Sequence, residues 1–290
     1  MPESSTARRR LIELRVLLRG LDEDRIGESL LRESRLKGLR VLVIGASSGV
    51  GRAAGEALAG EGARVVFAAR LTDRLEEAVR GVTARGKGEA LAVECDVCEE
   101  SSVGSAVSQT VAAFGGLDAL VYAPGIAVFR RLSEIDAETW RRVLDTNLVG
   151  PTIALRAAIS QLEENRGKAI LISSIVIDDR PPRPQNAPYV VSKVALEALV
   201  QAWQGEHRSV GFTTIAIGDT VTEFGQDSDP TLLVDMVKSW VKSDYMYGRA
   251  MEVESVAQQI VSVLESRETV RRVAITPRYS DDPRDGGGHW

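Results

Sequence analysis

Between Val41 and Gly51 an uninterrupted apolar run, Val41 to Ile44, breaks into three closely spaced glycines and then into an alanine-rich stretch from Arg52 to Ala59. A short run without polar alternation suits a strand buried on both faces, as a parallel sheet requires. Gly45, Gly49 and Gly51 then permit a tight turn, a close approach of backbone to a ligand and close packing of the next element. Ser47, Ser48 and Val50 fill the turn between them. The following stretch reads as a helix, whose unpaired N–H groups and positive dipole end would face an anion placed at the turn. Strand, phosphate-binding turn and helix is therefore the first reading, with an ordinary turn as its alternative.

The same alternation continues along the chain. Strands are expected at Val65–Ala69, Glu89–Glu94, Leu117–Tyr122, Lys168–Ser173, Phe212–Ile217 and Val273–Thr276. Between them lie helical patterns at Thr72–Ala84, Glu99–Phe114, Asp136–Glu164 with an interruption at Gly150-Pro151, Ala187–His207 and Val253–Ser266. Seven strands with helices between them imply an α/β fold, a doubly wound parallel sheet in a single domain over residues 38–277. A chain of 290 residues, 44% of them hydrophobic, suffices for one such core. Residues 1–37 precede the first strand and mix basic and acidic side chains, with Leu11, Leu14, Leu18 and Leu21 on one helical face; they read as an N-terminal helical extension. Residues 278–290 read as a loose polar tail. A net charge of −5 argues against a general nucleic-acid binder. The absence of an apolar run of about 18 residues argues against a membrane span, and charges interrupt the apolar start of a signal peptide, so a cytoplasmic protein is expected. Cys95 and Cys98 have C-x-x-C spacing, but His207 and His289 are the only histidines, and two reduced thiols near a strand end are the simpler reading.

Two positions suggest chemistry. Arg70 stands nineteen residues beyond Gly51, at the end of the second strand, where dinucleotide folds read the adenosine ribose. An acid there would favour NAD(H); a guanidinium can hold a 2′-phosphate through two N–H bonds and points to NADP(H), unless Arg70 merely faces solvent. Tyr189 and Lys193 are four apart and so share one helix face. A nearby fixed cation would favour phenolate over phenol and lower the tyrosine pKa.

Gly45-x-x-x-Gly49-x-Gly51, Asn147, Ser174 and Tyr189-x-x-x-Lys193 together resemble the short-chain dehydrogenase/reductase family in its single-domain branch, over roughly residues 39 to 277. The resemblance implies a ketone or secondary alcohol as substrate and hydride exchange with a nicotinamide. Ser174 would hydrogen-bond the substrate oxygen, Tyr189 would exchange its proton, Lys193 would lower the tyrosine pKa and hold the nicotinamide ribose, and Asn147 would position a water leading from Lys193 to solvent. It also implies cofactor contacts from the glycine turn, from Asp96 and Val97 at the adenine, and from Ala123, Gly125, Gly218, Thr220 and Thr222 near the nicotinamide, and association as a homodimer or homotetramer. A catalytically silent NADP-binding sensor or scaffold of the same fold is the alternative.

Three departures from the family pattern stand out. Tyr122-Ala123-Pro124-Gly125 replaces the usual Asn-Asn-Ala-Gly, so a side-chain amide at Ala123 is lost and the sheet must be satisfied otherwise. Asp219 adds a charge after the sixth strand. The connection from Ser174 to Tyr189 is about two residues longer than usual and carries four prolines; Arg180 and Arg183 within it could serve a stiff loop or meet an anionic substrate group. The segment from Phe224 to Gly248 is expected to be loop-rich, with Met236, Trp240, Tyr245, Met246 and Tyr247 forming an apolar lid or packing in the core.

Overall fold

The computed structural model describes residues 34–225, 230–247 and 249–278. The expected helices of residues 1–33 and the tail from 279 onward lie outside the described residues. Seven strands form one parallel sheet: β1 (Arg40–Ile44), β2 (Arg64–Ala69), β3 (Glu89–Glu94), β4 (Ala119–Tyr122), β5 (Lys168–Ser174), β6 (Gly211–Ile217) and β7 (Arg272–Ile275). Their order across the sheet is β3-β2-β1-β4-β5-β6-β7. The expected fold class is therefore the observed one, a doubly wound sheet with the reversal of strand order between β1 and β4. Ligands bind at such a reversal, beyond the carboxyl ends of the strands.

The strand sequences explain why helices cover both faces. Successive side chains of β1 point to opposite sides: Val41 and Val43 join one apolar cluster, Leu42 and Ile44 the other, and all four are fully buried. Helices α1 (Gly49–Gly60), α2 (Thr72–Arg85) and α8 (Val253–Glu265) cover the first face. Helices α3 (Glu100–Phe114), α5 (Gly150–Glu164) and α6 (Ala187–Glu206) cover the second. Short α4 (Ala137–Leu144) precedes α5, and α7 (Pro230–Lys242) follows β6. Among the described residues no helix is long and apolar enough to cross a membrane.

Two expectations need correction. The interruption of the long helical region is not at Gly150-Pro151 but in the turn before it, where Asp145–Val149 form a π-helical bulge. Proline in the first turn of a helix removes no intrahelical bond, so Gly150-Pro151 opens α5 instead of breaking it. The segment after Phe224 contains thirteen helical residues, α7, where a loop was expected. Leu233, Met236, Val237 and Trp240 recur at helical spacing there, and Met236 and Trp240 are buried.

Candidate active site

The crevice at the strand reversal is built by backbone fit. Gly45 leaves β1 with φ +82°, and a Cβ on it would stand 2.8 Å from the Pro124 nitrogen in the segment leaving β4. Gly51 in α1 lies against the turn itself; a Cβ there would meet the Gly45 carbonyl oxygen at 2.2 Å. Any side chain at either position would push α1 or the β4 exit away. Ser48 caps α1 without a side-chain bond, so none of the first amides of that helix is taken by its own cap. At Gly49, φ +52°, an added Cβ would point at Thr222 Cγ2, 3.5 Å away, so the loop after β6 faces the glycine turn across the crevice. This cradle fits a dinucleotide pyrophosphate, with room kept open by glycine where the backbone must approach an anion.

The expected adenosine contacts lie along the same edge. Arg70 is exposed at the end of β2, makes no ion pair among the described residues, and is close enough to Cys98 to lower its thiol pKa. The Asp96 carboxylate accepts from Cys98 N at 3.0 Å, and Val97 is buried beside it. Burial nevertheless raises the pKa of both Cys98 and Cys95, the latter to about 11. At the other end of the crevice Gly218 N donates to Ile275 O, Thr220 Oγ1 donates to Gly218 O at 2.8 Å, and Thr222 Oγ1 accepts from Phe224 N at 3.2 Å.

Four polar side chains meet beyond β4 and β5. The π-bulge turns Asn147 inward, fully buried. Its amide spans the segment after β4, with Oδ1 accepting from Ile126 N at 2.9 Å and Nδ2 donating to Ile126 O at 2.9 Å and Ser192 Oγ at 3.0 Å. Ser174 ends β5 in register with Ile217 of β6, and its Oγ accepts from Val176 N. Tyr189 is the third residue of α6, after Pro188, and Lys193 follows one turn later. The Lys193 ammonium is 5.6 Å from the Tyr189 ring centre and donates to Ile172 O at 2.8 Å. A Cβ added to Gly125 would lie 3.6 Å from Lys193 Nζ and 3.8 Å from Asn147 Oδ1, which places this glycine in the middle of the cluster. Ala123 N meanwhile donates to Ile44 O, tying the β4 exit to β1.

The electrostatics differ from the expectation that Lys193 depresses Tyr189. Burial dominates and pushes the Tyr189 phenol up to about 12, while the hydrogen bond to Ser174 and the positive charge of Arg183 pull it down and Asp219 pushes it up. Burial also lowers Lys193 to about 8, against an opposing pull from Glu197. With both groups desolvated, each favours its neutral form.

The departures have local solutions. Tyr122, buried, donates its hydroxyl to Thr146 O at 2.7 Å and so ties β4 to the π-bulge where an amide bridge is missing. Gly150 makes the room, since a Cβ there would stand 2.4 Å from that hydroxyl. Arg183 has two of the three nitrogens of its guanidinium taken by carboxylates, and its Nη2 is buried without a hydrogen-bond partner among the described residues. Its side chain is 1% exposed, with Nε donating to Asp179 Oδ2 at 2.7 Å and Nη1 to Asp219 Oδ1 at 2.8 Å. Arg180 bonds the Ile177 and Asp179 carbonyls. Phe129, which no sequence pattern singles out, packs edge-on against Phe224 and Trp240, and Phe224 lies 5.1 Å from the Tyr189 ring. His207 stacks on Trp203 and contacts Glu163, away from the crevice.

Comparison with known proteins gives this arrangement its relatives. Residues 40–232 match the short chain dehydrogenase family profile. An uncharacterized oxidoreductase of Methylorubrum extorquens is 37% identical over 193 residues, covering 66% of this chain and 76% of that protein. A 2,5-dichloro-2,5-cyclohexadiene-1,4-diol dehydrogenase of Sphingobium indicum is 30% identical over 241 residues, covering 80% of this chain and 91% of its own. Among solved structures, an alcohol dehydrogenase from the archaeon Thermococcus sibiricus complexed with 5-hydroxy-NADP matches with a TM-score of 0.71 and 26% identity, over 82% of this chain and 95% of that one.

Proposed function

The chain belongs to the short-chain dehydrogenase family and is an oxidoreductase, and we propose that it is an NADP(H)-dependent carbonyl reductase or alcohol dehydrogenase in which Tyr189 is the general acid and base. The reading rests on one observation above all: Asn147, Ser174, Tyr189 and Lys193 converge at the crevice whose other end is the glycine turn. The nicotinamide, when bound, supplies or accepts the hydride. Ser174 donates a hydrogen bond to the substrate oxygen, and Tyr189 gives that oxygen a proton as it becomes an alkoxide. Lys193, one helical turn away, would hold the ribose hydroxyls of the nicotinamide half. Asn147 fixes the segment after β4, which forms the floor of the site.

The phenol is protonated at neutral pH with its pKa near 12, and an alkoxide is a stronger base than such a phenolate. Proton donation to the alkoxide formed during carbonyl reduction is therefore downhill. Phe224 lies beside Tyr189, Phe129 and Trp240 stand in turn behind it, and the Arg183 cation next to Trp240 is paired with Asp179 and Asp219. A ketone or aldehyde with an apolar body and no anionic group suits these walls. For association, Val149, Val191 and Val194 leave exposed apolar positions at the start of α5 and along α6, which support a homodimer or larger homo-oligomer.

Arg70, exposed and without an ion-pair partner among the described residues, supports NADP(H) over NAD(H). Measuring kcat/KM for NADPH and NADH with a panel of apolar carbonyl compounds tests the cofactor assignment. Arg70→Ala should weaken the use of NADPH by roughly 10- to 100-fold and that of NADH little, the loss of a bidentate charge-assisted contact. Equal losses for both cofactors would contradict it.

A further inference from the structure

Arg183 is a deeply buried charged side chain, and three segments hold it. Asp179, four residues earlier, belongs to the connection between β5 and α6. Asp219 belongs to the loop after β6, 36 residues further along the chain. The guanidinium also lies over the indole of Trp240 in α7, 5.6 Å from the ring centre, and that indole donates to Pro184 O at 3.1 Å. Trp240 in turn packs on Phe129, Phe129 on Phe224, and Phe224 on Tyr189, so the rings run unbroken from the ion cluster to the phenol. The backbone of the Asp219 segment is fastened on its other side as well: Met251 N donates to Asp219 O, and Val221 N to Met251 O.

A planar guanidinium suits such a junction, because two edges can pair with carboxylates while a face lies on an aromatic ring. A buried ion cluster adds little net stability over an apolar equivalent, but removing one member leaves a buried charge unpaired. What the cluster joins is therefore the more informative property. We propose that Arg183, held between Asp179 and Asp219 and stacked on Trp240, is a positioning residue that fastens helix α7 and the loop after β6 to the segment leading into Tyr189. The assignment rests on the functional reading given above, since it takes Tyr189 as the proton donor and the loop after β6 as a wall of the cofactor crevice.

The cluster also sets charge at the phenol. Tyr189 faces Ser174 from the end of β5, Lys193 from its own helix, Arg183 with its partner Asp179 from the preceding connection and Asp219 from the loop after β6, while the neighbouring aromatic rings carry no charge. Arg183 favours the phenolate and Asp219 disfavours it.

Hydrogen exchange followed by mass spectrometry on the full chain separates the possibilities. Arg183→Met should speed exchange in α7 and in residues 219–225 by on the order of ten-fold or more while leaving β1 and α1 as in the wild type. Arg183→Lys, which keeps one charge but not the fork or the stack, should fall between them. Asp219→Asn retains the Asp179 pair and keeps the test open if the methionine variant does not fold; it should loosen residues 219–225 more than α7. Unchanged exchange in the folded variants would overturn the fastening role whatever the protein reduces. In the pH profile of kcat, Arg183→Lys should keep the limb assigned to Tyr189 near its wild-type position, Arg183→Met should move it up and Asp219→Asn should move it down. Movement of the last two in the same direction would overturn the electrostatic role. A wild-type chain that reduces no carbonyl compound would count against the proposed activity alone, because the exchange measurement reads the fastening without turnover.

Discussion

Lys193 and Tyr189 are buried side by side, and burial favours the uncharged form of each, so the pair carries a pH dependence with a definite sign. Lys193 falls from 10.5 to about 8 in the folded chain. Between those values the unfolded chain binds more protons than the folded one, so stability rises with pH across that window and the contribution is flat below about 8. Tyr189 acts oppositely: its folded pKa of about 12 lies above the ordinary 10, so its contribution is full below 10 and is lost as pH climbs through 12. The interval from 8 to 10 therefore isolates the lysine. Denaturant unfolding of wild type and Lys193→Met at pH 8 and pH 10 should show the stability difference, wild type minus variant, increasing by about 2 to 3 kcal/mol. No change in that difference would mean that the lysine is solvated in the fold. At this scale the sequence identified Arg183 and Asp219 as unusual but not as partners. Nothing in the local pattern relates residues so far apart; the pairing exists only once β5 and β6 lie side by side and bring the segments after them together.

Elements were legible where their burial is two-sided. The strands of the central sheet are short apolar runs because helices cover both faces, and their expected limits agree with the observed ones to within a residue or two. The helix interruption lies at Asp145–Val149 and not at Gly150-Pro151, which resembles a helix breaker but whose glycine serves a packing need. A Cβ at Gly150 would press on the Tyr122 hydroxyl, at 2.4 Å, more closely than on Asp145 O or Val97 O, at 3.2 and 3.3 Å. Gly150→Ala should therefore cost about 2 kcal/mol or more, as overpacking does. Tyr122→Phe, which removes the bond to Thr146 O, should cost about 1 to 2 kcal/mol. In the double variant the clash loses its nearest atom, so the combined cost should be smaller than the sum of the two. Simple additivity in denaturant unfolding would show that the tyrosine does not bridge β4 and the bulge. Helix α7 is a different case: it lies in a segment expected to be loop-rich, although its own spacing is helical.

For the molecule as a whole, the strand order does the organising. The reversal between β1 and β4 opens one crevice; the glycine turn floors it at β1, and the exits of β4, β5 and β6 bring Gly125, Ser174 and the Gly218–Thr222 loop to the same edge. That geometry was readable from the sequence because a parallel sheet places every strand's carboxyl end on one side. The aromatic wall was not, because Phe129 belongs to a segment without periodic pattern and reaches Tyr189 only through Phe224. The central claim, that the crevice delivers a cofactor to a tyrosine that handles the proton, is tested most directly by comparing wild type with Tyr189→Phe. NADPH oxidation should be followed by its absorbance in the presence of apolar ketones and aldehydes, alongside NADPH binding. The account predicts a fall in kcat of roughly 10²- to 10⁴-fold with NADPH affinity little changed. NADPH binding by both proteins with equal turnover, or with none in the wild type, would contradict it.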